Sequence, residues 1–291
     1  MEPIQTFEQE AELTMEQKLL KQLPQLGKLF IENIPENRNF RKNPDDPFEH
    51  HHKWHQFGII THTEKFLEYF NTQAQDYFKQ WGIDKEINEK MSEEIDGMTK
   101  EDLLRIAIVL HDLGKFERDF EEKDGKLEPD YKGHEKRSEK FIKKDSRVQE
   151  LLKQEYKLTD AQIKYIARCA GLHYELGKVR NVAKKTPEGF TIAFAKSDEC
   201  KKACKDIGNK FPDYKVEVGI LFLCDSLAKT DVRVAAKAKT DLEVEAMAEE
   251  IKEVIEDRNL NPKLINAIKQ VSTNNEITKT YLTTILNKKI I

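Results

Sequence analysis

The segment Leu103-Leu104-Arg105-Ile106-Ala107-Ile108-Val109-Leu110-His111-Asp112-Leu113 constrains this chain more than any other. Its second half is apolar on nearly every face of a helix, which leaves no side for water, so the helix must lie inside the fold. Thr99, with Asp102 three residues later, is a variant of the capping box that starts it. Gly114 reads as a left-handed stop at its end. A carboxylate at the end of a buried helix is costly if it stays charged and alone, so Asp112 needs a cation, a metal or several donors. A second apolar segment, Val216 to Leu227, carries Asp225 in the same situation. Its length and its Leu and Phe content favour a buried helix over a strand. Two acids in two core helices imply one shared site.

Elsewhere, too, the apolar residues recur with helical spacing, and strand-like alternation is scarce, so the fold class expected is all-α. Residues 7–32 read as one or two polar amphipathic helices, and Asn43-Pro44-Asp45-Asp46-Pro47 breaks the chain. A helix is expected from Gly58 to Trp81, stopped by Gly82, and another over 85–96. A charged loop is expected at 121–133, then a helix opening at Gly133-His134. Thr159-Asp160-Ala161-Gln162 is a capping box whose helix reaches His173. Residues 178–195 look irregular, with a short strand where Phe190, Ile192 and Phe194 alternate. The tail, 241–291, offers amphipathic helices broken at Asn261-Pro262. The organisation expected is an N-terminal helical extension (1–49), a central domain (50–232) and a C-terminal helical extension (233–291) packed on it.

Charge narrows the partners. The 291 residues carry 49 Lys and Arg against 53 Asp and Glu, a net charge of −4. Little bulk field therefore exists to recruit long nucleic acid or an anionic membrane. The apolar runs, Ile106 to Leu110 among them, are far shorter than the roughly 18–20 residues needed to cross a bilayer. The first residues have neither the basic start nor the apolar stretch of a secretory signal, so a cytoplasmic protein is expected. Cys169, Cys200, Cys204 and Cys224 form no C-x-x-C pair and read as reduced packing thiols.

The eight histidines divide into a cluster, His50, His51, His52 and His55, and a dispersed set, His62, His111, His134 and His173. Metal ligands converge from separate elements, so the dispersed set is the informative one. His111 and Asp112 project about 100° apart on a helix, yet can straddle an ion at its end. A mixed His and Asp set suits divalent Mn, Fe, Ni, Co, Zn or Mg. His134 and His173 are equally compatible with helix-end caps or satisfied core donors. Lys115 either reaches a substrate phosphate or pairs with a carboxylate. His55, seven residues before His62, is a candidate substrate contact or general acid. Arg118 and the 121–133 loop either border a pocket or are simply solvated. Lys229, one turn after Asp225, reads as the partner of an acid.

The string Leu110-His111-Asp112-Leu113-Gly114-Lys115-Phe116, preceded by His62 in Thr61-His62-Thr63 and followed by Asp225, resembles the HD superfamily of metal-dependent phosphohydrolases. That family has the order H…HD…D, and its two-metal members place two more histidines between HD and the final D, where His134 and His173 stand. The nearest local likeness is to the HD domain of bacterial CCA-adding tRNA nucleotidyltransferases, which shares Gly133-His134-Glu135 but has Gly at the position of Ser138. This chain shows no nucleotidyltransferase domain. The resemblance implies an HD-type helical bundle and two divalent ions held by His62, His111, Asp112, His134, His173 and Asp225. It further implies a phosphodiesterase or phosphatase that attacks with metal-bound hydroxide. Read from the residues themselves, Asp112, Lys115 and His55 are the catalytic candidates and Lys115, His55 and Arg118 the substrate-binding ones. The expected partner is a small phosphorylated substrate of nucleotide type, and an oligomer is compatible with it. The alternatives are a non-catalytic nucleotide or metal sensor on the same fold and a one-metal nucleoside triphosphate hydrolase.

Overall fold

A computed structural model describes residues 13–32, 53–117, 119–123, 126–232 and 237–288. The His50–His52 run, Arg118 and the Asn43–Pro47 break lie outside them. The described residues are predominantly helical: α1 (Met15–Glu32), α2 (Ile59–Thr72), α3 (Ala74–Gln80), α4 (Asp84–Met91), α5 (Lys100–Leu110), α6 (His134–Lys144), α7 (Ser146–Glu150), α8 (Asp160–Leu172), α9 (Arg180–Ala183), α10 (Ile192–Lys196), α11 (Asp198–Lys210), α12 (Lys215–Ala228), α13 (Asp241–Ala246), α14 (Ala248–Asp257) and α15 (Leu264–Ile285). The strands among them form two antiparallel hairpins, β1 (Glu94–Ile95) with β2 (Met98–Thr99) and β3 (Asp119–Lys123) with β4 (Lys126–Asp130). The all-α expectation holds.

The two apolar segments are the central helices. In α5, Leu103, Leu104 and Ile106 to Leu110 are all buried, and in α12 every residue from Val216 to Ala228 is. Helix α5 packs on α2 and α8, and α12 packs on α2 and α15. The same hydrophobic cluster includes Leu19, Leu23 and Phe30 of α1 and Val271, Ile277, Tyr281 and Leu282 of α15. Caps read from the sequence are present. Thr99 Oγ accepts from Asp102 N at 3.1 Å, and Thr159 and Gln162 make the reciprocal capping box. Each satisfies backbone N–H groups that a helix start leaves without intrahelical partners.

Several local expectations are corrected. Residues 192–196 are helical, not a strand: Thr191 Oγ accepts from Phe194 N, and the Asp241 carboxylate accepts from Ile192 N and Ala193 N at 2.7 and 3.0 Å. That capping supplies partners a strand pairing would otherwise have to provide. The helix expected from Gly58 to Trp81 is interrupted at Gln73, although Gly82 does end it in the left-handed conformation, φ +67°. The helix expected over 85–96 stops at Met91, and Asp96-Gly97, both at positive φ, turn the chain into β1–β2. The loop expected at 121–133 contains the β3–β4 pairing. Both hairpins carry an Asp-Gly signal between their strands, which is a strong short-range hairpin cue. Gly114 is not left-handed; its role is close approach.

Candidate metal centre

Five helix ends converge on one point. His62 lies in the first turn of α2, His111 and Asp112 just past α5, His134 at the start of α6, His173 just past α8, and Asp225 in the last turn of α12. Gly114 permits the convergence. A Cβ there would lie 2.2 Å from His134 O and 2.7 Å from Ser138 N, so only glycine lets the turn after Asp112 meet the start of α6. Ser138 Oγ accepts from Gly114 N at 2.8 Å, and Arg137 Nε donates to Gly114 O at 3.0 Å, which pins the crossing. Gly133 at φ +74° then aims the chain into α6.

Each of the four dispersed histidines commits its Nδ1 to a backbone carbonyl: His62 to Ala228 O at 3.2 Å, His111 to Ile108 O at 2.7 Å, His134 to Tyr131 O at 2.8 Å and His173 to Ala170 O at 2.7 Å. A carbonyl only accepts, so Nδ1 carries the hydrogen and, in the neutral ring, Nε2 is a bare lone pair. All four Nε2 atoms face the acids. Asp112 Oδ2 is 3.2 Å from His111 Nε2 and 3.9 Å from His62 Nε2, while Oδ1 is 3.3 Å from His134 Nε2 and 3.8 Å from His173 Nε2. Asp225 Oδ1 is 3.1 Å from His62 Nε2. His134 and His173 bring their Nε2 atoms to 3.1 Å of each other.

These residues fit a divalent metal. Metal–ligand bonds of roughly 2.0–2.2 Å place neighbouring donor atoms about 3.0–3.5 Å apart; four of the spacings here fall in that range and the two longest, His173 and His62 to Asp112, are 3.8 and 3.9 Å. The Nε2 atoms point inward, and His111 Nε2 makes no hydrogen bond. The Nδ1 contacts supply the orientation that metal-bound imidazoles require. Two groups meet the geometry, His62, His111 and Asp112, and Asp112, His134 and His173, with Asp112 common to both.

The electrostatics agree. Burial lowers His173 to about 3, helped by His111 and His134. Burial likewise lowers His62, against the pull of Asp225. Burial opposes ionisation of Asp112, but His111, Lys115 and His134 outweigh it and hold the carboxyl well below its usual range. Asp225 is held low in the same way, chiefly by Lys229 and His62. Neutral rings at His62 and His173 and ionised carboxylates at Asp112 and Asp225 are ligand forms that metals take.

A cavity of about 670 Å³ opens above these residues, lined by Lys115, His55, Lys229 and Glu135 among others. Lys115 is buried and donates from Nζ to Asp112 Oδ2 at 2.7 Å. Lys229 lies 3.2 Å from Asp225 Oδ2, the acid pairing expected of it. His55 is buried, its ring edge-on to His62 with centroids 4.7 Å apart. Sequence reasoning missed Trp54, Arg180 and the α15 residues Gln270 and Asn274, which also line the cavity. Trp54 stands beside His55 in the chain, which was a usable signal; nothing local marks the others.

The four cysteines are free and buried, with Cys200 and Cys204 Sγ atoms 3.9 Å apart. Among the described residues no helix is long and apolar enough to cross a membrane. No family model, curated protein or solved structure matches this chain.

Proposed function

We propose that this chain is a metal-dependent phosphohydrolase of the HD type, with two ions, acting on small nucleotide-type phosphoesters. The observation that carries the reading is Asp112, whose two oxygens face two different pairs of bare histidine nitrogens. The order His62, His111-Asp112, His134, His173, Asp225 supports it, since it follows the HD resemblance. Two bound divalent ions supply an acidified water near neutral pH and positive charge opposite the phosphoryl oxygens.

The rest of the work falls to side chains. Asp112, common to both donor groups, would help hold each ion and would orient the attacking water. His62, His111, His134, His173 and Asp225 complete the two sites, kept in tautomer and direction by their carbonyl contacts. Lys115 and Lys229 add positive charge at the cavity floor for an arriving phosphate. His55, which lines the cavity beside His62, would pass a proton to the leaving oxygen. The near-neutral overall charge favours a small substrate drawn in by the ions over long nucleic acid.

Metal analysis of the purified chain, coupled to a screen of cyclic nucleotides, dinucleotides and nucleoside mono- and triphosphates, tests the proposal. The expected result is about two ions per chain and turnover that a chelator removes. Metal and nucleotide binding with no turnover of any phosphoester would replace it with a sensor.

A further inference from the structure

A second cavity, of about 890 Å³, lies on the other side of α15. Ala267, Gln270 and Asn274 of that helix border the cavity of the metal centre, whereas Ser272, Asn275, Glu276 and Lys279 border the second. At about 100° per residue the two sets occupy opposite faces of α15, and the two cavities share no lining residue. Around the second one, α10, α11, α15 and the 237–239 stretch bring together Lys196, Lys201, Lys237, Lys239 and Lys279, with Asp76 and Glu276 as the lining acids. A chain of net charge −4 thus carries a concave surface on which bases outnumber acids more than twofold.

Gathering ammonium groups costs energy unless a counter-charge meets them. The protein supplies little of it. Lys201 pairs with Asp198 at 2.9 Å, and Lys196 donates from Nζ to Lys239 O at 3.0 Å, a carbonyl and not a carboxylate. Among the described residues the ammonium groups of Lys237, Lys239 and Lys279 make no ion pair. Lys279 is the most telling, because it is half-buried and does not pair even with Glu276, which lies at the helical spacing where such pairs form. Tyr77 and Trp81, also half-buried, line the same cavity with ring centroids 5.5 Å apart. Tyr77 Oη accepts from Asn275 Nδ2 at 3.5 Å, which leaves its own hydrogen to donate. Lysine binds anions as a point charge without the fixed fork of arginine, so a lysine cluster selects by number of charges more than by shape. The volume lies in the range of small-molecule sites. We propose that this cavity binds a small polyanion, a molecule carrying several phosphate or carboxylate groups, at a site separate from the metal centre. The proposal does not depend on the phosphohydrolase reading.

The two tryptophans of the chain divide between the cavities, Trp54 at the metal centre and Trp81 at the second. In the full chain carrying Trp54→Phe, treated with chelator, tryptophan fluorescence therefore reports on the second cavity alone. The probes are inorganic triphosphate and citrate against orthophosphate, all at one ionic strength. A saturable change in Trp81 emission is expected with triphosphate or citrate, at least about tenfold tighter than with orthophosphate, because several ammonium groups are engaged at once. The tighter of the two identifies the charged group, phosphate or carboxylate. Lys239→Gln combined with Lys279→Gln is expected to weaken that binding about tenfold. Lys237 and Lys239 are exposed, so Lys237→Gln combined with Lys239→Gln keeps the test valid if Lys279→Gln does not fold. No saturable response, equal binding of orthophosphate, or an affinity that survives both double substitutions overturns the proposal. So does a response confined to Trp54 in a Trp81→Phe chain, which would place the polyanion at the metal centre. Each of these results leaves the phosphohydrolase reading standing.

Discussion

His134 and His173 present their Nε2 atoms to each other across 3.1 Å while both Nδ1 hydrogens are committed to backbone carbonyls. Two neutral imidazoles in this arrangement place lone pair against lone pair, which is unfavourable unless a cation lies within reach of both. Asp112 Oδ1 completes a three-atom donor set beside them. Metal binding should therefore relieve a repulsion built into the fold, and thermal melting with Mn, Ni or Zn should show an upward shift that grows with free-ion concentration.

Asp112 belongs to both donor groups, so its loss should affect both at once. Asp112→Ala is expected to lower hydrolysis of a generic aryl phosphodiester by more than about 10²-fold. Metal content by mass spectrometry should fall with it. Undiminished turnover in this variant rules out the assignment.

The two groups should also separate. His134→Ala and His173→Ala each remove a donor from only one group, so about one ion per chain should remain of about two. His62→Ala should weaken the other group instead. A wild-type protein that holds a single ion, indifferent to His134 and His173, would indicate the one-metal alternative.

Gly114→Ala tests the crossing that brings His134 to Asp112. The added Cβ meets backbone atoms of His134 and Ser138, which cannot rotate away. Chemical denaturation should show a loss of about 1–3 kcal/mol or more. Metal affinity should fall in parallel, because the strain is relieved only by moving α6.

Below neutral pH the metal-free protein should weaken for an identifiable reason. His173 is depressed to about 3 and His62 is lowered from an ordinary value of 6.5, both by burial. Histidines depressed in the fold bind fewer protons there than in the unfolded chain. Their contribution to stability is complete above about 6.5 and is lost as pH falls toward 3, at up to about 1.4 kcal/mol per pH unit for each ring. Urea titrations in chelator at pH 7.5 and 5 measure the slope; a flat profile contradicts the neutral-imidazole arrangement.

Glu217 predicts the opposite sign. It is buried in α12, accepts from Tyr165 Oη at 3.0 Å, and burial raises its pKa above the usual 4.5. A raised acid retains its proton in the fold, so stability falls as pH climbs from 4.5 through the folded value. Glu217→Gln should be more stable than the wild type at pH 8, and the advantage should vanish near pH 4.5. Thermal melts across that range decide it.

Much of this protein is legible locally. The caps at Thr99 and Thr159, the stop at Gly82 and the burial of α5 and α12 depend on residues within a few positions of one another, so periodicity and capping chemistry reach them. The 192–196 helix has a local signal in the Thr191 cap, which the Phe190, Ile192 and Phe194 alternation masks, while its second cap, the Asp241 carboxylate, lies 49 residues from Ile192. The two Asp-Gly hairpins were local signals overlooked among helical ones.

The dispersed histidines and the two buried acids also follow from the sequence alone, because a charge in an apolar helix demands a partner wherever the helix packs. Which atoms meet does not follow. His62 and Asp225 are 163 residues apart, and packing of α2 on α12 brings them to 3.1 Å. Tertiary structure likewise set Asp112 between two histidine pairs, gave Gly114 a close approach in place of a left-handed turn, and made α15 a wall of the cavity. Residue chemistry sets which groups need partners. Only the packing of whole helices, driven by burial of their apolar faces, sets which partners they get.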